Sequence, residues 1–403
     1  MARPRARRSV ARMADLARTD WRVDPPDDAM LHALAEAGED RTVISMYLQT
    51  DPRVAANAAQ TPAWLVTARN GLRDVSAALD DAGDRDAKLR WRELRGEMEA
   101  ELESLAPGDR GRSLVWFRDL GGTLDVRYVL QVALRESVVA HAARPVIAPL
   151  IELLDHSRPI GVVLVSGERV RLVHWAHGRI DEAGEEVFDL EGDGWRPYRG
   201  PSSSTPGRGG RSGTTHVEQV EQRVEEHRER FFHAAAAATA ERLAALGWER
   251  VVIAAERAVA QRFRNALPSA VRDRVVAELA LNAVDAHESE IAQRLEPAIE
   301  DLHTREALAS VDGLRQPAAG PAAVLAALAQ GQVDHLILDP HHRPAQTELP
   351  EIAEALLRGD RFTRLPERAI EAAIAADARI TTLETTASPT LQEADGILAG
   401  LRW

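Results

Sequence analysis

Residues 192–216 read Gly-Asp-Gly-Trp-Arg-Pro-Tyr-Arg-Gly-Pro-Ser-Ser-Ser-Thr-Pro-Gly-Arg-Gly-Gly-Arg-Ser-Gly-Thr-Thr-His. No hydrophobic period of strand or helix runs through them, and Gly, Pro and Ser dominate, so the stretch predicts a long connection. Any fold has to route this connection over its surface. After Asp193 its charges are Arg196, Arg199, Arg208 and Arg211, and no acid returns until Glu218. The tip, 207–213, alternates Gly with Arg and Ser. A basic tip ahead of a rigid helix suits entry into a narrow polyanionic place. A plain solvated surface loop is the alternative.

The segments around this break alternate between strand and helix patterns, which predicts an α/β layer architecture in three domains. Residues 1–25 read as a disordered basic tail. The first domain spans 26–144: strands at 42–49, 113–117 and 125–132, with helices at 61–79 and 88–105. In the second of these helices Leu89, Leu94, Met98, Leu102 and Leu105 fall near one face. The second domain spans 145–272. It opens with a helix at 146–154, then strands at 159–166 and 169–177 joined by a turn at Gly167-Glu168. An acidic edge strand at 178–190 leads into the basic connection. The helix from Thr214 to Leu246 is charged all round in its first half and Ala-rich in its second, so the second half should pack on the sheet. A strand at 249–255 follows. The third domain spans 273–403, with a long helix at 287–310 and strands at 333–339, 378–383 and 396–403.

Composition narrows the function. A net charge of −13 argues against a protein coated in nucleic acid. Basic residues gather in two islands, the connection and the N-terminal stretch with Arg3, Arg5, Arg7, Arg8, Arg12 and Arg18. The N-terminal island lacks an apolar segment, so it is not a secretory signal. No run reaches the length of a membrane span. The absence of cysteine removes thiol chemistry and fits a reducing, cytoplasmic setting. P-loop, dinucleotide and Gly-x-Ser-x-Gly signatures are absent. His335, His341 and His342, with Asp334 and Asp339, gather near one strand end, but adjacent histidines on a Pro-flanked loop tend to diverge. His174 and His177 fall on opposite sides of their strand. We therefore expect neither metal nor cofactor.

The tip Gly207-Arg-Gly-Gly-Arg-Ser212 followed by a long charged helix resembles the Gly-Arg-Gly-Gly-Gln-Ser loop and helix of the archaeal and eukaryotic class-I peptide-chain release factors. The order of elements over 161–255 resembles the middle domain of that family. Gly396-Ile-Leu-Ala-Gly-Leu-Arg-Trp403 is similar to the closing strand of the third domain in release factors and in Pelota. Together these cover roughly 145–403 and suggest a bacterial member of the superfamily, of the release-factor-like or Balon-like kind. The N-terminal domain shows no match to the family's stop-codon reader.

The resemblance implies a ribosome-binding protein in hibernation, protection or rescue, not tied to stop codons. It would sit in the A site, with 207–213 directed at the peptidyl-transferase centre. Arg196, Arg199, Arg208 and Arg211 would contact rRNA phosphates, and peptidyl-tRNA and a translation GTPase are further candidate partners. The loop tip Gly209, Gly210 and Arg211 would stand at the hydrolytic position, with one departure. Arg211 replaces the family's glutamine, and a guanidinium has no acceptor with which to orient a water. A backbone N–H there could still face a developing oxyanion. An active peptidyl-tRNA hydrolase therefore stays open beside the non-hydrolytic reading, and so does a non-ribosomal α/β interaction protein.

Overall fold

The computed structural model describes residues 16–17, 20–37, 42–187, 213–345, 349–357 and 364–403. Three sheets carry the architecture, and the chain is of the expected α/β class. The first sheet contains β1 (Trp21–Arg22), β2 (Val43–Gln49), β3 (Ser113–Asp119), β4 (Asp125–Leu130) and β5 (Val138–Ala142), in the order β1-β4-β3-β2-β5. Both faces of β2 to β4 are buried, as in a sheet covered on two sides. Ile44, Met46 and Leu48 face one core. There they meet Trp64, Ala68, Leu72 and Val75 of α2 (Ala63–Ala82) and Trp91, Leu94 and Met98 of α3 (Arg85–Ser104). Trp91 joins the buried face where Leu89 was expected. Leu89 is half exposed. A short helix, α1 (Asp28–Ala35), precedes β2 and is capped by the Asp27 carboxylate, which accepts from the Met30 N–H.

Trp21 and Arg22 depart from the disordered tail expected over 1–25. They pair in parallel with Arg127 and Tyr128 of β4. Trp21 packs edge-on against Trp116 and donates from its indole to Glu101, which explains why this part of the basic stretch is structured. The expected tail residues 1–15, 18 and 19 lie outside the described residues.

Helix α4 (Ala148–His156) leads into the second sheet: β6 (Ile160–Val165), β7 (Arg169–Ala176), β8 (Arg179–Val187), β9 (Val251–Ala255) and β10 (Val275–Ala280), ordered β10-β9-β6-β7-β8. The β6–β7 turn falls at Gly167-Glu168, closed by Ser166. His177 and Gly178 both take positive φ between β7 and β8, the geometry of a two-residue hairpin. Helices α5 (Gly213–Leu246) and α6 (Arg257–Ala266) cover this sheet. Phe231, Phe232, Ala235, Ala236 and Leu243 of α5 pack with Phe263, Trp248 and the sheet residues Val163, Leu172 and Ile253. Phe232 and Phe263 are fully buried, each contributing on the order of 2–3 kcal/mol of transfer free energy.

Beyond α7 (Glu288–Asp312) come α8 (Pro321–Ala329), α9 (Glu351–Leu357) and α10 (Leu365–Ala375). The third sheet holds β11 (Ala318–Ala319), β12 (Val333–Leu338), β13 (Arg379–Thr382) and β14 (Ile397–Leu401), ordered β11-β14-β12-β13.

The chain divides into two compact units, 1–158 with 300–403, and 159–299. This partition differs from the expected boundaries at 144/145 and 272/273. Val43, Tyr47, Val115, Phe117 and Tyr128 of the first sheet share one core with Leu150 of α4 and with Leu325, Leu336, Ile370 and Ile397 from the C-terminal third. Strand β10, beyond residue 272, pairs with β9 of the middle sheet.

Candidate functional site

The basic connection joins the edge strand β8 to helix α5. Arg196, Arg199, Arg208, Gly209, Gly210 and Arg211 lie outside the described residues, so the structure describes their mount. The helix starts at Gly213, which gives the last residues of 192–216 to the stem. Further along, α5 is fixed to its sheet by the aromatic and alanine contacts above. Arg228 lies against Gly167 in the β6–β7 turn, and Arg242 against Gly184 of β8. Glu225 pairs with Arg228 at 3.3 Å and with Arg262 of α6. The sheet end of the hairpin is braced as well. Arg171 holds Glu182 at 2.9 Å and donates to the carbonyls of Val284 and Ala286 at 2.7 and 2.8 Å. From Phe231 onward, α5 is thus packed on the second sheet. Sites built on rigid elements hold their position better than sites on free loops.

His335, His341 and His342 each take a separate partner. His335 sits between Thr381 Oγ1 and the Arg379 guanidinium, each at 2.9 Å. Burial first, and Arg379 second, push its pKa down to about 4. His341 pairs with Glu152 at 2.8 Å, and that hydrogen bond raises its pKa. His342 pairs with Asp395 at 2.7 Å. Asp334 is exposed. Asp339 accepts the N–H groups of His341, His342 and Thr385, so it organises a loop. His174 stacks on Trp248, while His177 sits in the hairpin turn.

An open cleft of about 350 Å³ lies in the first unit, lined by Arg135, Glu136, Asp339, His341, Glu384 and Thr386. Its charged groups already engage one another: Arg135 pairs with Glu384 and, at 3.7 Å, with Glu152. Sequence reasoning missed a tighter cluster formed by Asp155, His156 and His303, whose ligand-type atoms all lie within 4.8 Å of one another. The chain offers no local signal for it beyond the adjacent Asp155-His156, because His303 comes from a distant helix. No helix among the described residues is long and apolar enough to cross a membrane.

Residues 145–300 match the family described as Bacterial archaeo-eukaryotic release factor family 10. That range encloses α4, the whole second sheet and the connection that its edge carries. No curated protein matches the chain. Among solved structures, the archaeal translation termination factor aRF1 shares 15% identity at a TM-score of 0.24, covering 93% of this chain and 97% of its own. Archaeoglobus fulgidus Pelota shares 13% at a TM-score of 0.34, covering 72% and 79%. S. cerevisiae Dom34 shares 9% at a TM-score of 0.35, covering 66% and 74%. Over residues 145–300, then, the chain is similar to a family of bacterial release-factor-like proteins.

Proposed function

We propose that this protein binds the ribosome and acts on idle or stalled particles, in hibernation, protection or rescue. The observation that carries this reading is the Gly/Arg tip, 207–213, lying within the family match on the connection between β8 and α5. Gly209 and Gly210 give the backbone freedom to enter a confined channel. Arg196, Arg199, Arg208 and Arg211 supply fork donors for rRNA phosphates. With Arg211 in place of glutamine, the tip keeps its backbone donors and loses the acceptor that would orient a water, so binding without peptide release is the favoured activity. A solved archaeal Pelota is described as ribosome-bound with ABCE1, and Dom34 as a termination-like factor interacting with Hbs1. For this chain the ribosome is the partner we propose.

The test is co-sedimentation of the full chain with ribosomes, beside the double variant Arg208→Ala/Arg211→Ala, followed by peptide release from peptidyl-tRNA on the bound particles. Binding that weakens with salt and falls in the variant, without release, supports the reading. The salt dependence follows from counterions displaced at phosphates. Release by the native chain would establish a hydrolase acting through the loop backbone. Failure to bind at low salt would leave an α/β interaction protein with another partner.

A further inference from the structure

A second candidate site lies in the first unit. Asp155 and His156 end helix α4, and His303 lies on the part of α7 belonging to the same unit. Asp155 and His303 are buried, 5% and 8% exposed. His303 Nε2 stands 3.0 Å from Asp155 Oδ2. The His156 ring lies against the His303 ring at 4.2 Å between centroids, tilted by 41°. We propose that Asp155, His156 and His303 bind one divalent transition-metal ion of the zinc class, through two imidazole nitrogens and one carboxylate oxygen.

Three features of the cluster support this. The donor atoms already converge: all lie within 4.8 Å of one another. Atoms sharing a tetrahedral zinc stand about 3.3 Å apart, so the ion would have to draw the donors closer by side-chain rotation. Next, the carboxylate is held in place from outside the donor set. The Thr382 N–H and hydroxyl donate to Asp155 Oδ2 at 2.6 and 3.0 Å, and Arg158 donates to Oδ1. Such outer partners orient a metal ligand and are the usual support of a metal site. Third, the donor set is two imidazoles and one carboxylate, which suits zinc and its neighbours better than calcium or magnesium. Among the described residues three protein donors converge, which leaves a position for water. Binding through His303 Nε2 would require any proton on that nitrogen to move to Nδ1 or to solvent. Arg158, paired with Asp155, opposes the cation and weakens its binding. The ion would join the end of α4 to α7 and, through Thr382, to β13.

The experiment is calorimetric titration of the chelator-stripped full chain with zinc chloride, alongside cobalt(II) absorption at the same stoichiometry. We expect one ion per chain. We expect at least a tenfold weaker binding in His156→Phe, which keeps a ring against His303 and removes the nitrogen. His156→Gln serves as a second variant should the phenylalanine not fold, with circular dichroism as the check. His341→Gln, in the exposed pair with Glu152, should bind as the native chain does. Absence of zinc binding at micromolar concentration would overturn the proposal. So would native affinity in a folded His156 variant, or loss of binding in His341→Gln.

Discussion

The two units bury charge very differently. Among the described residues, the first unit buries Asp51, Asp119, Asp125, Arg127, Arg144, Asp155, Asp339, Glu367, Arg368 and Glu371, whereas the second buries only the hydroxyl residue Thr239 from the polar set. The first unit is assembled from two stretches of chain far apart in sequence, and some of its buried ions tie one stretch to the other. Arg144 meets Glu371 at 3.3 Å, and Glu367 accepts the backbone N–H groups of Ile147 and Ala148 at the start of α4. The second unit is one continuous stretch, held by aromatic and aliphatic packing. Buried ion pairs are weak evidence for stability, because desolvation offsets much of their attraction. Directional contacts do fix which segments meet. The contrast teaches that a discontinuous unit specifies its pairing with charge, while a continuous one is served by shape.

If this is right, breaking a buried ion in the first unit should cost most. Asp125 accepts from Trp116 at 2.8 Å, from Arg127 at 2.9 and 3.0 Å, and from Arg118. Asp125→Ala strands these donors and should cost about 3–5 kcal/mol. Hydrogen exchange should show the loss in the first sheet while β6 and β9 keep their protection.

A somewhat smaller effect is expected at Glu367, and it depends on pH. Burial, with Glu371 adding, raises its pKa to about 7, against the two backbone N–H groups and Arg364. Its folded value lies above the unfolded one. The stabilising contribution is therefore complete below about pH 4.5 and is lost as pH rises toward 7. The loss amounts to about 3 kcal/mol at 1.36 kcal/mol per pKa unit. Urea unfolding at several pH values should show Glu367→Gln gaining on the native chain across that window. A parallel pair of curves would remove Glu367 from the account. Tyr47, whose own pKa burial raises well above its usual value with Glu367 adding, stays neutral throughout.

In the second unit the sensitive contacts should be steric. A Cβ on Gly161 would lie 2.0 Å from Cε3 of Trp248. Gly161→Ala should cost about 1–3 kcal/mol by forcing that indole to move, visible as a changed tryptophan emission and a lower urea midpoint. The smallest effect sharpens the comparison with the opposite sign. Thr239 is fully buried on α5 and its hydroxyl has no hydrogen-bond partner among the described residues. Thr239→Val should stabilise the second unit by about 1 kcal/mol, measured by thermal unfolding.

What was legible in the sequence follows the same divide. Apolar runs at 160–165 and 251–255 announce buried strands, and the long helix after the connection declares itself by its period. The connection is legible as chemistry, since glycine and arginine carry their meaning in composition. Strand β10 was not legible: Val275–Ala280 is an edge strand whose alternate residues face solvent, and its Ala, Glu and Leu also suit a helix. Helix α4 was legible as a helix, but nothing local says that Leu150 joins the core under the first sheet. The Asp155–His303 contact spans 148 residues, and no period or motif reaches that far.

That separation also orders the way the molecule can be made. The inner face of the first sheet, with Val43, Tyr47, Val115 and Phe117, is covered by residues from beyond position 300. During synthesis this face must wait until the C-terminal third emerges. The middle stretch is complete well before then. A chain halted before residue 300 would present a finished middle unit beside an open apolar sheet. An aborted product of this protein should therefore be a substrate for chaperones, even though half of it is already native.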